Sequence, residues 1–134
     1  MVKDNKTLHL VLKRKWWDMI ASGIKKAEYR DVTLYWAKRL LDVGLRRLLK
    51  RNDIVGWYIT DKRYLGDLNS WLRLMIEQKD FAFRNFENVC FHLGYTNTIM
   101  TFQILSISIG IGKNEWGTEP NKEYFVIKLG ERIE

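Results

Sequence analysis

Short apolar runs and two-residue alternation dominate this chain, and helical spacing is confined to a few segments. Leu8–Leu12 (Leu-His-Leu-Val-Leu) is a compact apolar run and predicts a buried strand. Trp16 to Ser22 places apolar side chains at 16, 19 and 20, which is helical spacing. Gly23 then suits the position just past a helix end, because glycine takes positive φ without penalty. Lys26–Val32 reads as a second strand. Thr33 is a good N-cap for a helix starting near Leu34. Leu34, Ala37, Leu41, Leu45 and Leu48 line one face of that helix, with Trp36, Arg39, Val43, Arg46 and Lys50 opposite and Gly44 a candidate break. Val89–Leu93, Ile99–Ile111 and Tyr124–Leu129 are β-rich. In the long middle run neither alternate face is strictly polar, which suits a bent barrel strand better than a flat one.

The region between is harder to read. Asp53–Ile59 is a candidate strand and Trp71–Ile76 a candidate helix. Asp61 to Phe86 carries Tyr64, Trp71, Phe81, Phe83 and Phe86 without clear periodicity. The order β–α–β–α followed by strands predicts an α+β fold, a small mixed β-barrel with flanking helices.

Length and composition narrow the class. A chain of 134 residues without a repeat or a Ser/Gly-rich linker predicts one domain over 1–134. Its single cysteine, Cys90, has no internal disulfide partner, which points to a reducing compartment. No run approaches the roughly 20 apolar residues of a membrane helix. The expectation is therefore a cytoplasmic protein without membrane association.

Charge adds a partner class. The formal net charge is +7. Residues 1–63 hold 16 Lys+Arg against 7 Asp+Glu, or +9, and residues 64–134 hold 7 against 9, or −2. A basic half of this kind suits a polyanion such as RNA, although a solvated basic surface has the same composition.

The densest chemistry lies at Gly23-Ile-Lys25-Lys26-Ala-Glu28-Tyr-Arg30. In a strand, Glu28 and Arg30 share a face. Arg30 can fork two hydrogen bonds to a phosphate or a guanine edge, and Lys25 can add a point charge. Glu28 can accept from an exocyclic amine or serve as a general base. The alternative is structural: a Glu28–Arg30 ion pair on the barrel with Lys25 in solvent. Tyr95 and Trp116 are candidate stacking platforms. Lys13, Arg14, Lys15 and Lys26 are candidate phosphate contacts. His9 and His92 lie in strand-like runs and read as structural, and Cys90 reads as a buried inert thiol. Sequence spacing shows no metal-ligand cluster and implies no cofactor. Trp16, Trp17 and Trp57 read as core or rim packing.

Several of these pieces, in this order, resemble the ASCH domain, a relative of the PUA RNA-binding domain. They are Leu10-Val11-Leu12 before a Trp-containing helix, Gly23-x-Lys25-x-x-Glu28-x-Arg30, Tyr35-Trp36 and Phe91-x-x-Gly94-Tyr95. Ile107–Gly112, Trp116-Gly117 and Tyr124–Gly130 complete the set. The resemblance covers residues 8–45 and 88–131 and leaves a helical or irregular insertion near 46–87. It implies a PUA-like barrel with a cleft beside the motif that binds RNA or a nucleotide. Some small relatives hydrolyse an acylated cytidine amide, and ribonuclease activity also occurs among relatives. In the amide hydrolases a threonine stands where this chain has Glu28, after a lysine matching Lys25. A hydrolase reading would therefore give acid and base roles to Glu28 and Lys25 on a modified nucleoside or RNA. A third reading uses the aromatic 61–86 segment as a protein-docking surface.

Overall fold

The computed structural model describes residues 6–42, 72, 73, 76, 77 and 82–134. Among these, five strands form one mixed sheet. They are β1 (Thr7–Leu12), β2 (Ala27–Asp31), β3 (Asn88–Leu93), β4 (Ile99–Ile111) and β5 (Glu123–Arg132). Two helices accompany them, α1 (Arg14–Ala21) and α2 (Leu34–Leu40), with a 3-10 turn at Asn114–Trp116. The spatial order is β1-β3-β4-β5-β2, so β1 and β2 are the two edges. β1 runs parallel to β3, and every other pairing is antiparallel. The long strand β4 shifts register between Phe102 and Ile104 and again between Ile104 and Ser106. Such bulges bend a strand and raise its twist. They let one 13-residue strand curve the sheet into a half-barrel. The expected α+β, barrel-like architecture is present.

The sheet's inner face is apolar. Leu8, Leu10 and Leu12 of β1 alternate inward and stand beside Val89, Phe91 and Leu93 of β3. Met100, Phe102, Phe125, Ile127 and Leu129 continue the core, and Trp17, Ile20, Ala37 and Leu40 cover it from the helices. Each large side chain buried this fully contributes roughly 1.5–3 kcal/mol from removal of apolar surface.

The helix boundaries follow local chemistry. α1 ends as expected: Ser22 N–H donates to the Asp18 carbonyl and Gly23 follows at φ +86°. Thr33 caps α2, its hydroxyl accepting from the Trp36 N–H at 3.2 Å. The expected long second helix is corrected, because α2 ends at Leu40. Leu41 is extended and bridges Phe83, so its side chain enters the core from an extended bridge position rather than from a helix face. Leu45, Arg46, Leu48, Lys50, Gly44, Trp57 and the candidate strand Asp53–Ile59 lie outside the described residues.

Part of the 46–87 segment is described. Leu72, Arg73, Ile76 and Glu77 are helical, in line with the candidate helix there. Leu72 is fully buried, however, and Ile76, Phe83 and Phe86 pack against the core. Arg73 forms an ion pair with Glu123 of β5. These residues of the segment therefore contribute to the hydrophobic core. Among the described residues no helix is long and apolar enough to cross a membrane.

Candidate functional site

A cleft of about 560 Å³ opens beside the edge strands, and Lys25, Glu28 and Arg30 all line it. The residues reach it from different elements. Lys25 sits in the link after α1, where its N–H returns to the Met19 carbonyl at 3.0 Å. Glu28 and Arg30 come from β2, two residues apart, and share a face as the strand period requires. Tyr95 comes from the β3–β4 turn, and Trp116 from the 3-10 turn before β5.

The three charges form one chain of contacts. Lys25 Nζ donates to Glu28 Oε1 at 2.7 Å, and Arg30 Nη2 donates to Glu28 Oε2 at 2.9 Å. Lys25 is 3% exposed and Glu28 4%. The expected structural alternative is thus half right: the Glu28–Arg30 pair exists, but Lys25 is buried rather than solvated. Both carboxylate oxygens are engaged, so Glu28 is arranged to hold two cations in place. Two cations on one carboxylate leave the cluster with an excess positive charge. The cleft carries Lys13, Lys25 and Arg30 against Glu28 and Asp31, and Lys122 pairs with Asp31 at 3.3 Å from outside the lining.

Arg30 also ties the two sheet edges together. Its Nη2 donates to the Val11 carbonyl of β1 at 3.1 Å, and Arg39 Nη2 donates to the His9 carbonyl at 3.2 Å. Side chains thereby satisfy acceptors that an open edge would leave free. Arg30 Nε is buried with no hydrogen-bond partner among the described residues.

Aromatic rings surround the cations. Lys25 Nζ lies 4.5 Å from the Trp16 ring centroid, and the Arg30 guanidinium 5.1 Å from that of Trp36. Lys113 lies 4.4 Å from the Trp116 ring. Such contacts orient the cations and cover them from water. Tyr95 is fully exposed at the cleft edge. Tyr29 also lines the cleft, its hydroxyl accepting from the Lys113 N–H at 3.3 Å.

Burial raises the Tyr29 hydroxyl above the ordinary tyrosine value, with smaller upward pushes from Glu115 and Glu28. A raised folded-state value means the stability is complete below the unfolded value of 10.0 and declines as pH rises through the folded one. We expect wild-type stability to fall more steeply above that pH than stability of Tyr29→Phe, measured by urea midpoints across an alkaline pH series. Equal pH slopes would contradict the assignment.

Gly117 shapes the cleft wall. It sits at φ +102°, and a Cβ there would meet Trp16 Cζ2 at 2.8 Å. Gly117→Ala should cost about 1–3 kcal/mol in strain alone, read as a lowered urea midpoint. It should also displace Trp16, read as a change in tryptophan emission.

The expected site residues separate into two groups. Lys13, Lys25, Glu28, Arg30, Tyr95 and Trp116 line one cleft. Arg14, Lys15 and Lys26 are exposed and lie outside that lining. Arg14 pairs with Asp18 at 3.8 Å, and Lys15 lies over Trp16 at 4.7 Å. Trp17 is core as read, but Trp16 is a wall of the cleft. Trp16, Tyr29 and Trp36 also line the cleft, although the sequence reads Trp16 as core or rim packing, places Trp36 on a helix face and gives Tyr29 no role.

His9, Cys90 and His92 behave differently from their expected separate structural roles. Sequence spacing shows no cluster, yet the fold brings their donor atoms within 4.8 Å of one another. Cys90 is buried, as its apolar run predicts. Comparison with known protein families, with curated proteins and with solved structures finds no match.

Proposed function

We propose that the cleft binds the base and phosphate of a nucleotide, either free or in single-stranded RNA, without turning it over. The observation that carries this reading is the Lys25–Glu28–Arg30 cluster at the floor of an aromatic-walled cleft. Its excess positive charge suits phosphate. The Arg30 side chain lines the cleft and keeps 20% of its surface exposed there, so a ligand phosphate can reach its guanidinium. Tyr95 and Trp116 offer ring faces for a base. The order of motifs resembles that of the ASCH domain, a relative of the PUA RNA-binding domain, and that resemblance implies the same class of ligand.

The hydrolytic alternative uses the same cleft on an acylated nucleoside or on RNA, with Lys25 and Glu28 in acid and base roles. It requires Glu28 to release one of its two cations before it can take a proton. The closed pair of contacts favours binding over that route.

Titration of the protein with single-stranded and structured RNA at several salt concentrations tests the proposal. Affinity for the single strand should fall as salt rises, because each phosphate contact releases counterions. Absence of binding at low salt would overturn it, as would a preference for duplex RNA.

A further inference from the structure

We propose that His9, Cys90 and His92 form a three-ligand site for a divalent transition-metal cation of the Zn²⁺ type. None of the three lines the nucleotide cleft. His9 stands directly opposite Cys90 in the parallel β1–β3 pairing, and His92 is two residues further along the same strand. All three face away from the sheet side that carries Leu8, Leu10, Val89 and Phe91. His9 Nδ1 lies 3.0 Å from His92 Nε2, and Cys90 Sγ lies 3.8 Å from the same nitrogen. The two imidazole rings are tilted by 46° with centroids 5.2 Å apart.

These separations suit a shared cation. Zinc takes nitrogen at about 2.0–2.1 Å and sulfur at about 2.3 Å in a tetrahedral arrangement. That geometry requires roughly 3.3 Å between two nitrogens and roughly 3.6 Å between nitrogen and sulfur. The observed distances are 3.0 and 3.8 Å, and His9 Nδ1 lies within 4.8 Å of Cys90 Sγ, so side-chain movement that draws the three donors around one point completes the geometry. Two imidazoles and a thiolate select zinc, copper or nickel over the hard cations magnesium and calcium. The paired strands fix the backbone of His9 and Cys90 before any metal arrives. Cys90 is 4% exposed and makes a dry floor, whereas His9 is exposed and leaves the fourth position open to water or an outside ligand. Arg39 reaches this strand but donates to the His9 backbone carbonyl.

The proton count is simple. Coordination needs lone pairs on His9 Nδ1 and His92 Nε2, so each neutral ring keeps its proton on its other nitrogen. The Cys90 thiol loses one proton to solvent, and the metal–sulfur bond replaces the S–H bond.

The test uses the untagged full chain, stripped of metal by a chelator and titrated with Co²⁺, then with Zn²⁺. We expect one metal per chain, a thiolate-to-cobalt charge-transfer band in the near ultraviolet, and its loss when Zn²⁺ displaces Co²⁺. Cys90→Ser should abolish that band. His9→Gln, at an exposed position, should fold normally by circular dichroism and bind Zn²⁺ at least about tenfold more weakly. The proposal is overturned if wild type shows no charge-transfer band, or if His9→Gln binds Zn²⁺ as tightly as wild type.

Discussion

Glu28→Gln is expected to destabilise the protein by about 3–5 kcal/mol, the usual cost of leaving buried charge without its partner. Lys25 and Arg30 both depend on this carboxylate, at 2.7 and 2.9 Å. A glutamine side chain keeps the shape but offers one acceptor oxygen, and its amide N–H₂ group would face a second donor. Lys25, at 3% exposure, has little water to turn to. Lys25→Met should cost less, because the Glu28–Arg30 pair survives and the methionine stem fills the same space. The double variant Lys25→Met/Glu28→Gln should be more stable than the sum of the single losses predicts, since removal of Lys25 relieves the charge that Glu28→Gln leaves unpaired. Urea unfolding of the four proteins measures this coupling. Additive losses would show that the two residues act independently.

Tyr95→Ala is expected to weaken binding of single-stranded RNA by about 1–3 kcal/mol, or roughly five- to 150-fold, the range for loss of one stacked base. Tyr95 is fully exposed, so truncation removes no buried packing and stability should be unchanged. That separation makes the variant informative. Trp116 is a poorer probe, because it is partly buried and carries Lys113 over its ring. Fluorescence anisotropy of a labelled oligonucleotide, beside a urea midpoint for each protein, gives both readouts. Wild-type affinity in Tyr95→Ala would remove the stacking role.

The fold was legible where one period dominated. Leu8–Leu12, the Ile99–Ile111 run and Tyr124–Leu129 became β1, β4 and most of β5, because their apolar spacing had a single good solution. The caps were legible for a similar reason: Gly23 and Thr33 act through local backbone geometry. α2 is shorter than its apolar spacing predicts, because Leu41 continues that spacing outside the helix. Its burial is met by the bridge to Phe83, a contact that no local pattern encodes. The charged motif was legible as a cluster, since Lys25, Glu28 and Arg30 lie close in sequence. Burial of Lys25 was not, because it depends on Trp16 covering the ammonium from α1. His9 and His92 are 83 residues apart, so only the parallel β1–β3 pairing brings them together. Arg14, Lys15 and Lys26 show the opposite failure: basic residues beside a motif in sequence need not face its cleft.

The central claim is that this cleft receives a nucleotide, and amide chemical-shift mapping during titration with a short single-stranded oligoribonucleotide tests it most directly. Shifts should converge on Lys13, Tyr29, Arg30, Tyr95 and Trp116, all lining residues, and should shrink as salt is raised. Shifts confined to exposed basic positions such as Arg14, Lys15 and Lys26, with the cleft residues unmoved, would contradict it.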